Sequence, residues 1–277
     1  MIHQNTKTLK TRNNGRSSDA ISPNFIYGCL GSCMASYCYV GRYNPDKVYI
    51  NDNTDQILAS IENWVKDKPN KIPNQVSDKY YMIDIECSTD IALHGKHYNW
   101  QKVFDYFNSH DKLKFTFATK YPSYFRNYEL HKDNRIRISL MPQCYADVLE
   151  PKCNSIATRI ENISILQEKL EVHLNFSPVI VHEGWLDRYE ELFKLVEPFK
   201  SPTLKSEVIF LTYNQRSFER NTELVNSLLW KPDVQEVKNS EYVDNNIRYK
   251  WQMKAQWITE FKKLHKQYLG DTIRYIF

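Results

Sequence analysis

No stretch of the 277-residue chain approaches the roughly eighteen apolar residues that a membrane-spanning helix needs. The first thirty residues are polar and basic, with no apolar segment before Ile21, so no secretory signal is read and a cytoplasmic protein is expected. Disulfide scaffolding is also absent. Six cysteines, at positions 29, 33, 38, 87, 144 and 153, are too few and too unevenly placed for a secreted framework, and a reducing compartment fits them better. Long low-complexity segments and clear internal repeats are lacking. The formal net charge of +4 creates no global field that would force a nucleic-acid partner.

The charge is nevertheless uneven. Lys7, Lys10, Arg12 and Arg16 precede the first acid, Asp19. Near the other end Arg248, Lys250, Lys254, Lys262, Lys263 and Lys266 face Glu260 alone, with Tyr249, Trp251 and Trp257 interleaved. Cations among aromatics suit phosphate contact with base stacking, and they equally suit a solvated helix face whose tryptophans point inward. A content of 42% hydrophobic and 14% aromatic residues is enough to bury a core. The expected division is a basic segment over 1–20, a main body over 21–230, and a C-terminal appendage over 231–277 lying on the same body.

Strand-like and helix-like patterns alternate along that body. Phe25–Tyr27, Tyr80–Ile85, Leu113–Ala118, Ile136–Leu140, Val172–Phe176 and Val208–Leu211 read as strands, most of them short buried runs. Thr54–Lys66, with Thr54 at a plausible N-cap, reads as a helix, as do Trp100–Asn108, Ile156–Leu170 and Trp185–Val196. Repeated alternation of this kind predicts an α/β fold of parallel strands, a barrel or an open partial barrel, with its site at the C-terminal ends of the strands. That rule gathers the segment from Gly28 to Tyr39, the segment Glu86–Asp90, Thr119-Lys120 and Ser139 at one mouth. Beyond Leu211 a hairpin over Val234–Trp251, turning at Asp244-Asn245-Asn246, is expected to lead to a helix and a final strand, Thr272–Phe277.

Cys29, Cys33 and Cys38 stand within ten residues on one loop. Three thiolates can hold a [4Fe-4S] cluster with one iron open to a small molecule, or form part of a zinc knuckle, and their spacing leaves both readings open.

Several short segments in one order go further: Gly28-Cys29 with Cys33 and Tyr37-Cys38-Tyr39, Glu86-Cys87-Ser88-Thr89-Asp90, Thr119-Lys120-Tyr121, Arg135-Ile136-Arg137-Ile138-Ser139, Leu149-Glu150-Pro151, His182-Glu183-Gly184-Trp185 and Arg248-Tyr249-Lys250-Trp251. From about Gly28 to Phe277 the chain resembles the spore photoproduct lyases of the radical SAM superfamily. One spacing differs: four residues separate Cys33 from Cys38, where the family has two.

The resemblance implies a partial (β/α)6 barrel of the radical SAM type holding a [4Fe-4S] cluster on Cys29, Cys33 and Cys38, with S-adenosyl-L-methionine on its open iron. It implies cofactor contacts from Lys120 and Ser139, and Ser177 could join them. Cys87 would give a hydrogen atom to the product radical, with Tyr39 and Tyr37 passing hydrogen onward. Arg248, Tyr249, Lys250 and Trp251 would meet the substrate, DNA carrying a thymine lesion, and an electron donor such as flavodoxin or ferredoxin would reduce the cluster. Two other readings stand beside this one: a radical SAM enzyme acting on another nucleic-acid base or nucleotide, and a non-catalytic metal-binding nucleic-acid protein.

Overall fold

In Arg135-Ile136-Arg137-Ile138-Ser139, polar residues alternate with isoleucines, and successive side chains of a strand point to opposite faces. One face of this segment must therefore be polar and the other apolar. The computed structural model, which describes residues 1–28, 47–238 and 245–277, carries that division through the central sheet.

The strands are β1 (Ile2–Gln4), β2 (Arg12–Asn13), β3 (Ala20–Ile21), β4 (Ile26–Tyr27), β5 (Tyr49–Asn51), β6 (Tyr81–Asp84), β7 (Leu113–Thr119), β8 (Arg135–Ser139), β9 (Glu171–Val179), β10 (Lys205–Phe210), β11 (Thr212–Asn214), β12 (Gln235–Lys238), β13 (Asn246–Tyr249) and β14 (Ile273–Ile276). The helices are α1 (Thr54–Val65), α2 (Trp100–Ser109), α3 (Gln143–Leu149), α4 (Ile156–Gln167), α5 (Trp185–Val196), α6 (Gln215–Arg220), α7 (Glu223–Leu229) and α8 (Trp251–Leu269). In the main sheet the order is β14-β10-β9-β8-β7-β6-β3-β2. All neighbours pair in parallel except β2, which joins β3 antiparallel at the edge. This is the expected α/β partial barrel.

Helices cover the apolar face, with α2 against β7 and α4 against β9. Phe104 of α2 lies 5.0 Å from Phe115 and 6.3 Å from Phe117, ring centre to ring centre. Burying each such ring contributes on the order of 2–3 kcal/mol.

The opposite face is charged. Register sets Arg135 beside Glu171, Arg137 beside His173 and Ser139 beside Asn175. Arg137 bonds Asp84 at 2.6 Å, Arg274 bonds Glu207 at 2.6 Å, and His173 bridges Glu207 at 3.1 Å and Glu171 at 2.8 Å. Burial alone would raise the Glu207 carboxyl, but His173, Arg137 and Arg274 hold it at about 2, below the ordinary 4.5. A carboxyl depressed in this way adds stability that is complete above about 4.5 and is lost as pH falls through about 2. Glu207→Gln should therefore lower stability at neutral pH, with the gap from the parent closing toward pH 2. Denaturant melts across that range check it, and a gap independent of pH would contradict the assignment.

Some expectations are corrected. Thr54 is the first residue of α1 and Asn53 occupies the N-cap; the Thr54 hydroxyl instead bonds the Tyr98 hydroxyl at 2.5 Å. The strand expected over Phe25–Tyr27 is β4, which lies outside the main sheet and pairs antiparallel with β5. β12 and β13 form the expected hairpin, with β11 as a third strand. Asn246 is already in the ladder opposite Lys238, so the turn precedes it, and Asp244 lies outside the described residues. The final strand, expected in an appendage, is β14 and extends the main sheet beside β10. Arg16 lies 4.5 Å over the Phe277 ring, bringing the start and end of the chain together. Among the described residues no helix is long and apolar enough to cross a membrane.

Candidate active site

Parallel strands deliver their following residues to one mouth. After β6 come Ile85, Glu86 and Cys87; after β7, Lys120; at the end of β8, Ser139. Glu86 is buried, and its two oxygens accept the Ile26 N–H at 2.9 Å and the Ser88 N–H at 2.8 Å. It thereby ties the strand entering the cysteine segment to the turn carrying Cys87. Burial pushes the Glu86 carboxyl up to about 8 against the pull of those N–H donors.

Gly28 has a φ of 93°, and a Cβ there would sit 2.2 Å from the Lys47 carbonyl oxygen, so only glycine fits. Segment 29–46 thus leaves and returns at neighbouring points beside Glu86. Cys29, Cys33, Cys38, Tyr37 and Tyr39 lie outside the described residues.

The Cys87 sulfur is half-buried, 3.8 Å from Arg12 Nη2 and 4.0 Å from the Ser88 hydroxyl. Burial, with Asp84 and Glu86 adding their negative charge, pushes the thiol from the ordinary 9.0 up to about 11. At neutral pH it is S–H. A nucleophilic or metal-ligating cysteine needs the thiolate, which this setting disfavours.

Lys120 is placed by its main chain, whose N–H donates to Asp90 Oδ2 at 2.7 Å; the same carboxylate accepts the Thr119 hydroxyl at 2.9 Å. Burial raises the Asp90 pKa, and these donors oppose the rise. The ammonium of Lys120 stands 3.8 Å from Glu150. Glu150 is buried beside Arg159 in a 2.5 Å charge contact that is not an aligned hydrogen bond. The other Arg159 nitrogens donate to the Ser139 and Asn154 carbonyls, both at 2.9 Å. Ser139 keeps its hydroxyl on the polar face, where it accepts from Asn175 at 3.4 Å. Ser177 lies within β9, two residues before its end.

The group Arg248 to Trp251 divides. Tyr249 is 2% exposed and its oxygen accepts the Val181 N–H at 2.8 Å, so it is corrected from a surface contact to a core side chain that fastens the hairpin to the barrel. Trp251 is 64% exposed at the start of α8. Arg248 pairs with Glu236 at 3.1 Å, and Lys250 donates to the Asp233 carbonyl at 2.7 Å. Of the remaining cysteines, exposed Cys144 meets Arg188 at 3.1 Å and Cys153 accepts from Tyr121 at 3.6 Å.

Sequence reading gave no role to Glu86, Asp90, Glu150 or Arg12. The first three are carboxylates inside segments already singled out, and strict alternation in β8 and β9 was the available sign that their surroundings are polar.

A curled parallel sheet with a thiol, a lysine and a serine at its C-terminal mouth, beside the root of a three-cysteine segment, defines an α/β partial barrel whose polar side chains converge at one end. The chain belongs to the spore photoproduct lyase family: the family model described as spore photoproduct lyase matches residues 3–273. The spore photoproduct lyase of Bacillus subtilis (strain 168) is 23% identical over 258 residues, covering 88% of this chain and 68% of that protein. The one from Clostridium acetobutylicum is 27% identical over 175 residues, covering 61% of this chain and 49% of that protein. A solved spore photoproduct lyase complexed with dinucleoside spore photoproduct superposes with a TM-score of 0.83 at 18% identity, over 99% of this chain and 82% of that one. Another, a mutant with bound AdoMet and dinucleoside spore photoproduct, gives 0.81 at 18% identity, over 100% of this chain and 82% of that one.

Proposed function

We propose that the chain is a radical SAM lyase that reverses a thymine lesion in DNA. The observation that carries this reading is Cys87: a thiol held protonated at the mouth, directly after β6, with a pKa near 11. A hydrogen-atom donor must keep its S–H, and burial widens the margin by which an ordinary thiol is already protonated at neutral pH.

The residues present fit the two groups that the family implies. Cys29, Cys33 and Cys38 offer three thiolates, the donor set of a cubane with one open iron. Lys120 brings a cation suited to the carboxylate of S-adenosylmethionine, and Ser139 and Ser177 bring hydroxyls from the polar face. When bound, the two groups would supply a 5'-deoxyadenosyl radical. The chain's own work is then to position and to quench. Glu86 fixes the root of the cysteine segment relative to Cys87, and Asp90 with Glu150 aims Lys120. Cys87 passes a hydrogen atom from sulfur to the carbon of the product radical, and Tyr39 and Tyr37 are assigned the return of a hydrogen atom to the sulfur, by passing on the one that the cofactor fragment took from the lesion, so that none is gained or lost. Trp251, with Arg248 and Lys250 nearby, is the candidate DNA contact, because an exposed ring can stack on an unstacked base. A reducing cell interior and a flavodoxin- or ferredoxin-type donor complete the reading.

The test is anaerobic incubation of the reconstituted protein with dithionite, S-adenosylmethionine and an oligonucleotide carrying spore photoproduct. The expected products are intact thymines in the strand, with 5'-deoxyadenosine formed from the cofactor. 5'-Deoxyadenosine without repair would move the assignment to another nucleic-acid base, the reading that the longer Cys33 to Cys38 spacing motivates. Neither product would end the enzyme reading.

A further inference from the structure

Arg12 stands at the edge of the mouth. Its backbone is fixed opposite Ile21 at the end of β3, and its neighbours are pinned: the Thr11 N–H donates to the Ser60 hydroxyl at 3.2 Å, and Trp64 donates to Asn13 at 2.9 Å. The guanidinium is exposed, forms no ion pair among the described residues, and sets Nη2 3.8 Å from the Cys87 sulfur. Its remaining N–H groups are open to an anion. Arg12 also borders a cavity of about 360 Å³ together with Lys10, Ser22, Asn24, Tyr27 and Asn51. Asn51 is 3% exposed, and its Oδ1 accepts no hydrogen bond among the described residues. The cavity therefore has two cations, Lys10 and Arg12, in its lining, and these, not the Asn51 oxygen, which is itself an acceptor, are what an anion would meet.

We propose that Arg12 binds the phosphate linking the two nucleosides of the lesion. The proposal rests on the reading of Cys87 as the hydrogen donor to that lesion. A donor sulfur must come within about 3.5 Å of the carbon it quenches. The linking phosphate is separated from that carbon by the pyrimidine ring and one sugar, a span that the length of an arginine side chain matches, so a guanidinium at the edge of the mouth beside the sulfur can reach it. The guanidinium fork matches phosphate geometry in a bidentate way that an ammonium does not. Arg12 is thus a specificity determinant: it favours a lesion carried in a strand over the same two nucleosides without their phosphate.

The experiment is equilibrium binding without reductant, using cluster-loaded protein with S-adenosylmethionine. The two probes are dinucleotide spore photoproduct, with its phosphate, and dinucleoside spore photoproduct, without it. Wild-type protein should bind the dinucleotide about tenfold more tightly. Arg12→Ala and Arg12→Gln should erase that preference while leaving the dinucleoside unaffected, and Arg12→Lys should keep part of it. Equal affinity of the wild type for both probes, or an equal loss on both in the variants, would overturn the proposal. If the preference depends on Arg12 but the wild type never releases thymine, the phosphate contact stands and the repair reading falls.

Discussion

Cys87→Ala should leave 5'-deoxyadenosine formation within about twofold of the parent while the yield of intact thymine falls to background. Cofactor cleavage and opening of the lesion precede quenching, so removing the thiol spares them. Without the S–H the product radical takes whatever partner is near, and altered thymine adducts appear in place of two thymines. Mass analysis of the digested strand reads both outcomes. Clean thymine from Cys87→Ala would remove the thiol from its role. Loss of cluster or of cofactor binding would make Cys87 a structural residue of the turn that Glu86 holds.

The second large effect concerns the loop. Alanine at Cys29, Cys33 or Cys38 should reduce iron from about four per chain to below about one after anaerobic reconstitution, and abolish 5'-deoxyadenosine. Alanine at Cys144 should leave iron unchanged, because that thiol is exposed beside Arg188 and remote in sequence from the loop. Stoichiometric zinc with no iron would return the three cysteines to the knuckle reading.

The strand and helix pattern was legible because each central strand is bounded by a helix with a clear apolar stripe: the expected helix Trp185–Val196 is found over those same residues. The polar lumen was harder to see. β8 and β9 alternate strictly, yet both faces are buried, and burial by itself reads as a continuous apolar run. Charges can occupy the inner face because partners arrive from β6, β10 and β14, which are distant in sequence. The same long-range pairing explains Tyr249, whose neighbours suggest a basic surface while its ring turns inward to Val181 and Trp257. Glu86 stands in the sequence only as part of a motif; its task lies in the Ile26 and Ser88 N–H groups, which come from separate segments and share its carboxylate.

The most direct measurement is repair in deuterium oxide. The Cys87 S–H exchanges with solvent, so hydrogen delivered from sulfur becomes deuterium. Wild-type protein should yield thymine carrying one deuterium in its methyl group, detected by mass spectrometry of the released base. Thymine formed at full yield with no deuterium, in protein whose Cys87 has fully exchanged, would contradict the account, since the quenching atom would then come from a site that solvent does not reach.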